Sequence, residues 1–213
     1  MPTYGLINEK LLEVKLSGES VYARKGSMIA YTGEVAFRGS LLAGGRVQDL
    51  AMRNVTGEGL HLMKAQGNGT VLYAHRGQHV TVISLTGETF YVESNHVLAF
   101  DERLRAGTIF LGNQGGVQGL VRGAMSGSGL FTTTLEGRGE LALLSEGDAI
   151  GLEVSASRPI FVDPQAYLGH RGGLTSTIHT DVSWKTLVGQ GSGESFQLKF
   201  VGSGTVYIQA SEG

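Results

Sequence analysis

The sequence predicts an all-β protein made of three tandem antiparallel units, each a small β-sandwich or β-roll. Three observations lead to this prediction. The chain has 34 glycines and only 3 prolines in 213 residues, which is roughly twice the average glycine share of about 7%. Short apolar runs lie between these glycines, and whole segments of the sequence recur along the chain. Glycines between short apolar runs are typical of strands joined by tight turns.

The apolar runs have the composition of β-strands. Residues 70–74 (TVLYA) and 79–85 (HVTVISL) are rich in β-branched and apolar side chains. Residues 131–135 (FTTTL) are typical of a strand with a polar centre. No segment has a sustained 3.6-residue apolar period with a capping signal. One short helical turn within residues 101–106 is the most helix that we expect.

A segment of apolar ends and a polar middle occurs three times. Residues 21–31 (VYARKGSMIAY) align with residues 90–100 (FYVESNHVLAF) and with residues 160–170 (IFVDPQAYLGH). Upstream of the first two copies, LSGESVY (16–22) matches LTGETFY (85–91). Such self-similarity at a fixed period indicates a repeat architecture.

The glycine-rich part of the unit recurs as well. Residues 57–82 align with residues 127–152 without gaps, and residues 191–211 match them after a small change in length. We therefore predict one compact array of three units of about seventy residues. Their expected spans are 1–76, 77–146 and 147–213, the last unit being somewhat shortened.

The two ends of the chain predict that this array is closed. The first unit begins with LLEVKLSGESVY (11–22) and lacks the strand that should precede it. The chain finishes on GTVYIQAS (204–211) and lacks the strand that should follow. We expect the C-terminal strand to pair with the N-terminal one, since this would hide edge groups that template aggregation.

A Gly-x-Gly motif offers two interpretations. A phosphate-binding loop needs a strand, a glycine-rich turn and then the N-terminus of a helix, whereas each motif here is followed by an apolar strand sequence. Hairpin turns also need residues that tolerate positive φ, and glycine does so without strain. We favour structural turns at Gly67, Gly69, Gly137, Gly139, Gly202 and Gly204.

Histidines offer weak candidates for a metal site. His75 and His79 flank a turn and could hold a metal between them. The equivalent positions in the next unit are Ser145 and Ala149, and no third ligand stands at an obvious spacing. Exposed turn histidines are the favoured interpretation, and we expect no metal or cofactor.

Nucleophilic and acid–base sites have no specific signal. Ser126 lies in a glycine-rich connection rather than in a strand-to-helix elbow. Glu93 and Asp163 occupy equivalent repeat positions, where the first unit has Arg24. We interpret these three residues as solvated strand ends, with ion pairing or a catalytic pair of carboxylates as the alternatives left open. We predict that the chain is not an enzyme.

Arginines in the glycine-rich linkers form a second weak candidate. The planar guanidinium of Arg binds phosphate or carboxylate through two hydrogen bonds, which the ammonium of Lys does not. These side chains could therefore line a ligand or partner surface. Solvated loops are the favoured alternative. The residues concerned are Arg38, Arg46, Arg53 and Arg122.

Overall composition limits the classes of partner. The formal charge is −2 at pH 7, whereas a general polyanion binder has an excess of Lys and Arg. The absence of cysteine excludes disulfides and thiolate sites. No run of about 18 apolar residues predicts a transmembrane helix. We expect a cytoplasmic bacterial protein for which nucleic acid is a disfavoured partner.

These features together resemble one family. They are GEGLHLMKAQGNGTVLYA, the segment closes VLAF and YLGH, the paired glycines of the connections, and the C-terminal FVGSGTVYIQAS. The chain resembles the altered-inheritance-of-mitochondria (number twenty-four) family over nearly its whole length. The resemblance implies repeated units similar to the subunit of the tryptophan RNA-binding attenuation protein, a short double-stranded β-helix type of fold. It also implies homo-oligomers, with a trimer as the candidate state.

The same resemblance limits what can be transferred to this chain. Eukaryotic members are linked to organisation of the mitochondrial inner membrane, whereas no activity is established for bacterial members. The family has no accepted catalytic residues, so none is carried over to this sequence. No targeting peptide is visible at the N-terminus, so the mitochondrial role is not carried over either.

Three functional hypotheses follow. The first is a non-enzymatic oligomeric scaffold or binding module with an unknown protein partner, because the repeats present extended surfaces. The second is RNA or small-ligand binding, which rests on fold analogy alone. The third is a β-roll metalloenzyme that uses histidine ligands.

Overall fold

The structure is a computed structural model that describes residues 1–40, 60–110, 131–179 and 197–211. Within these ranges the chain forms twelve β-strands and one turn of 3-10 helix. The prediction of an all-β, antiparallel fold is confirmed. The 3-10 turn lies at Ser94–His96 rather than within residues 101–106, where a strand ends, the chain turns and the next strand begins.

The strands are numbered in chain order. In the first part of the chain they are β1 (Thr3–Asn8), β2 (Leu11–Arg24), β3 (Met28–Ser40) and β4 (Leu62–Tyr73). The middle part contains β5 (His79–Glu93), β6 (Val97–Asp101), β7 (Arg105–Phe110) and β8 (Phe131–Ser145). The last part contains β9 (Ile150–Val154), β10 (Ile160–Val162), β11 (Tyr167–His179) and β12 (Gln197–Ile208).

All twelve strands belong to one antiparallel sheet. Its main path runs β10-β12-β11-β5-β8-β6-β2-β4-β3, with β1 beside β2, β7 beside β8 and β9 beside β12. A similar set of pairings occurs in each third of the chain. Strand β4 pairs with β2 and β3, β8 pairs with β5, β6 and β7, and β12 pairs with β9, β10 and β11. The division into units 1–76, 77–146 and 147–213 stays a prediction.

The predicted closure of the array by its terminal strands is wrong. The C-terminal strand β12 pairs with β11 on one side and with β9 and β10 on the other. The N-terminal strand β1 turns back on β2, so that Tyr4 faces Val14. Because both edges of β12 are already occupied, it has no free edge for β1. Among the described strands, β10 and β3 are the two ends of the main path.

The prediction that the Gly-x-Gly motifs form hairpin turns is also wrong. All six glycines lie inside β4, β8 and β12 rather than in hairpin turns. The first glycine of each pair has a positive φ: 142° at Gly67, 128° at Gly137 and 128° at Gly202. A positive φ inside a strand bends it, and the register of the neighbouring β2 and β5 shifts at the same level.

The second glycine of each pair admits a close neighbour. A Cβ on Gly69 would collide with the carbonyl oxygen of Thr32, and one on Gly204 with the carbonyl oxygen of Arg171. A Cβ on Gly139 would lie 2.8 Å from the Cβ of Asp101. Glycine recurs here because one position requires a positive φ and the other requires space.

Three clusters of buried apolar side chains form the core of the described residues. The first joins β2 and β4 to Leu98 and Ala99 of β6, the second is built mainly on β5, β6 and β8, and the third lies on β9 to β12. The largest fully buried side chains are Tyr73, Tyr167, Phe90, Phe100 and Phe200.

Substituting Gly69 by alanine tests the close approach of β4 to β3. We expect Gly69→Ala to lower the free energy of unfolding by about 1–3 kcal/mol, because the added Cβ forces the backbone of β3 to move. Gly39→Ala is the matched control, since a Cβ on Gly39 meets no atom within 4 Å. Urea unfolding monitored by circular dichroism measures both variants. Equal midpoints for the two would contradict the steric explanation.

Candidate functional site

The two candidate metal ligands, His75 and His79, have different surroundings. His79 begins β5, with Nδ1 3.0 Å from Asp148 Oδ1 and Nε2 3.7 Å from Glu9 Oε1. The pKa of His75 is lowered by burial, and the positive charges of Arg24 and Arg76 lower it further. The part of the chain that the structure describes contains no group of three or more His, Asp or Glu placed to hold a metal. The pair therefore gains no third ligand.

The candidate arginine surface is described at only one position. Arg38 is exposed on β3, opposite Lys64 of β4. Arg46, Arg53 and Arg122 lie outside the described residues.

Two junctions between successive parts of the sheet are the most distinctive sites in the described chain. In the first junction, β2 pairs with β6 so that Tyr22 faces Phe100. The two ring centroids are 5.5 Å apart, within the range of favourable aromatic pairs. Phe100 is fully buried. The aromatic pair thus fixes the register between β2 and β6.

Arg24, at the end of β2, strengthens the first junction. Its Nε donates to the carbonyl oxygen of Val97 at 3.0 Å, and its Nη2 donates to those of Ser94 and Asn95 at 2.8 Å each. Burial lowers the pKa of Arg24, while the charge of Glu93 opposes that shift. One planar guanidinium thus satisfies two carbonyls of the 3-10 turn and the carbonyl of Val97 at the start of β6.

Glu93 is buried beside this turn rather than solvated. Its Oε2 accepts a hydrogen bond from the backbone N–H of Asn95 at 3.0 Å and lies 3.4 Å from His96 Nε2. His96 Nδ1 lies 2.9 Å from the carbonyl oxygen of Leu144. Burial lowers the pKa of His96. The interpretation of Arg24 and Glu93 as solvated strand ends is therefore wrong.

In the second junction, β5 pairs with β11 so that Tyr91 faces His170. The rings are stacked, with centroids 4.5 Å apart and planes inclined by 6°. Gly169 brings the backbones together, because a Cβ there would lie 2.6 Å from both the ring of Phe90 and the carbonyl oxygen of Tyr91. The two junctions thus have the same register, and each contains one pair of facing aromatic rings.

His170 is held neutral inside the second junction. It is fully buried, and burial lowers its pKa to about 4. Its Nδ1 lies 2.7 Å from the hydroxyl of Tyr167, whose own pKa burial raises. Nε2 has no hydrogen-bond partner among the described residues. Charging this imidazole would therefore cost free energy.

The corresponding positions at the two ends of the sheet path are exposed. On β3, Ile29 and Tyr31 are 61% and 48% exposed, and on β10 Phe161 is 44% exposed. Tyr31 aligns with Phe100 and His170, which are both fully buried. The aligned sequence could have indicated these positions, although exposure is visible only in the structure.

No helix in the described parts of the chain is long and apolar enough to cross a membrane.

The chain is similar to known proteins over almost its whole length. A family model described as Mitochondrial biogenesis AIM24 matches residues 4–211. The crystal structure of a Streptococcus pyogenes protein is similar over 99% of this chain and 93% of that one, with a TM-score of 0.73 and 24% sequence identity. At this identity the likeness shows the fold alone. No curated protein sequence matches the chain.

Buried His170 predicts a loss of stability in acid. Its folded pKa of about 4 lies below the ordinary histidine value of 6.5, so the unfolded chain binds a proton more readily between these two pH values. The free energy of unfolding should fall as the pH drops from 6.5 to 4, by up to about 3 kcal/mol. Urea unfolding across this range measures the slope.

His170→Phe is the matched variant, because Phe100 occupies the equivalent position in the first junction. It removes this titration while keeping an aromatic ring opposite Tyr91. A variant whose stability depends on pH as steeply as that of the native chain would show that His170 is not responsible.

Replacing Arg24 by lysine tests the hydrogen bonds to the 3-10 turn. Lysine keeps the charge but cannot donate from a planar fork, so we expect Arg24→Lys to lower the free energy of unfolding by about 1–3 kcal/mol. Arg38→Lys on exposed β3 is the control and should change it little. Thermal and urea unfolding measure both variants, and similar losses for the two would overturn the assignment.

Proposed function

The chain belongs to the mitochondrial biogenesis family AIM24, and on that premise we propose that it is a non-enzymatic, self-associating scaffold or binding module. Its copies assemble through the sheet, and the assembly presents a surface to a further protein. The proposal includes no cofactor and no chemical step.

The exposure of the start of β3 carries this proposal. Ile29 is 61% exposed, whereas Leu98 and Leu168, at the same repeat position in β6 and β11, are both 0% exposed. Of the three aligned segments, those that contain Leu98 and Leu168 are thus covered by a neighbouring strand, whereas the one that contains Ile29 is uncovered. Exposed apolar side chains next to an unpaired strand edge are typical of interaction sites.

The alternative functions remain hypotheses. RNA or small-ligand binding would need clustered arginines, of which only Arg38 lies among the described residues. A histidine metalloenzyme would need ligands beyond His75 and His79. No contact within the described parts of the chain favours either alternative.

The expected location is a further part of the proposal. A bacterial source is supported by the Streptococcus pyogenes protein that shares the fold. A cytoplasmic location stays a prediction. The mitochondrial process in the description of the family is not assigned to this chain.

Light scattering at micromolar concentration tests the self-association. We expect a mass that is a multiple of the single-chain mass, since leaving the apolar start of β3 in water costs free energy. Ile29→Lys should lower this mass without lowering the melting temperature. Ile7→Lys, at a residue of β1 that is 54% exposed, is the control and should leave the mass unchanged.

A native chain with the mass of one copy would contradict self-association. Retention of the native mass by Ile29→Lys would contradict the role of β3.

A further inference from the structure

We propose that β3 of one copy pairs antiparallel with β10 of a second copy, in a register that places Tyr31 opposite Phe161. This inference rests on the self-association proposed above and names the two surfaces that form it. The interface is a third junction, built between copies on the pattern of the two junctions inside the chain.

The two internal junctions define the register. Tyr22 faces Phe100 in the first, and Tyr91 faces His170 in the second. Segments 21–31, 90–100 and 160–170 align, so Phe161 is the equivalent of Tyr22 and Tyr91. In the same alignment Tyr31 is the equivalent of Phe100 and His170. A third junction of the same kind therefore places Phe161 opposite Tyr31.

The flanking residues follow from the same register. In the first junction Val21 faces Asp101 and Ala23 faces Ala99. Transferred to the third junction, this register sets Ile160 opposite Thr32 and Val162 opposite Ala30. Thr32 and Ala30 are both exposed on β3, so their edge of the strand is accessible to a partner.

Both strands have a free edge for this pairing. Among the described residues, β3 pairs only with β4 and β10 pairs only with β12. The second edge of β3 corresponds to the edge that β6 and β11 use in the internal junctions, and the second edge of β10 corresponds to the edge that β2 and β5 use. Strands β3 and β10 lie at opposite ends of the sheet path. A second copy supplies the missing neighbour to each.

The two aromatic side chains that this register places opposite each other are partly exposed. Phe161 packs on His179 with ring centroids 5.1 Å apart, and Lys199 Nζ lies 5.5 Å from its centroid. Tyr31 packs edge-on against Phe37 at 5.0 Å. Both rings nevertheless keep almost half of their surface exposed, at 48% for Tyr31 and 44% for Phe161. Cross-strand aromatic pairs are among the more favourable pairs in a sheet.

The pairing determines the kind of assembly. The interface is heterologous, because it joins two different strands, β3 of one copy and β10 of the next. Each copy therefore contributes its β3 to one interface and its β10 to another. Repetition of such a contact either closes into a ring or grows into a filament. A closed ring, such as a trimer, satisfies every β3 and every β10 edge.

Disulfide trapping tests the register directly, because the chain has no cysteine of its own. Tyr31→Cys and Phe161→Cys are purified separately, mixed and mildly oxidised. Directly opposite residues in an antiparallel pair bring their Cβ atoms close enough for a disulfide. We expect a heterodimer band on a non-reducing gel at a yield at least tenfold above that of the control mixture.

The control mixture replaces Tyr31→Cys by Ala30→Cys. Ala30 is one residue away and equally accessible, but its side chain points to the other face of the strand. Equal yields from both mixtures would overturn the proposed register. A chain that carries both Tyr31→Cys and Phe161→Cys should form covalent multimers, whereas an exclusively monomeric crosslinked product would show closure within one copy and overturn the proposal.

Light scattering of the native chain distinguishes failure of the β3–β10 pairing from failure of self-association as such. A native oligomer without trapping at 31 and 161 would overturn the β3–β10 pairing and leave self-association standing. A native mass of one chain would overturn both.

Discussion

Close backbone contact at the glycine pairs is the constraint on which the rest of the sheet depends. In β4 the carbonyl oxygen of Thr32 occupies the place where Gly69 would carry a Cβ, and in β12 that of Arg171 does the same at Gly204. The glycine two residues earlier has a positive φ in each strand, which bends the strand at that level. The long strand β8, which has a positive φ at Gly137, also changes neighbours along its length. In β8, residues 131–136 pair with β7, whereas residues 141–143 pair with β6.

The first junction forms beside this change of neighbours. Beyond Gly139, β8 pairs with β6, whose other edge pairs with β2. In the second junction, β11 pairs with β12 from Tyr167 to His179 and reaches β5 with its other edge. The polar residues at these places serve the junctions as well. Arg24 satisfies two carbonyls of the turn that precedes β6 and one at the start of β6, and neutral His170 stacks on Tyr91 inside the second junction. The arrangement joins strands, and its unfilled counterpart on β3 and β10 is the basis of the proposed assembly.

Much of this arrangement was accessible from the sequence, although its geometry was not. The alignment of residues 21–31, 90–100 and 160–170 placed aromatic residues at two equivalent positions. It could not show that these positions face each other, because register between distant strands depends on where each strand bends. The glycine pairs are visible in the sequence but predict hairpin turns, since a hairpin turn and a bend inside a strand both require a positive φ. Glu93 looked solvated beside polar neighbours, whereas packing of the 3-10 turn buries its carboxylate.

Strand content and the recurrence of segments follow from the sequence alone, because they depend on local propensity and on patterns along the chain. The space that Gly69 and Gly204 require follows from the neighbouring strands instead. The tertiary structure decided which edges are paired. The terminal strands do not meet, since β12 already has neighbours on both sides. Tyr31 is exposed while its equivalent Phe100 is buried. Two segments of similar sequence differ in this way because burial depends on whether another strand lies beside them, and that neighbour is distant in the chain.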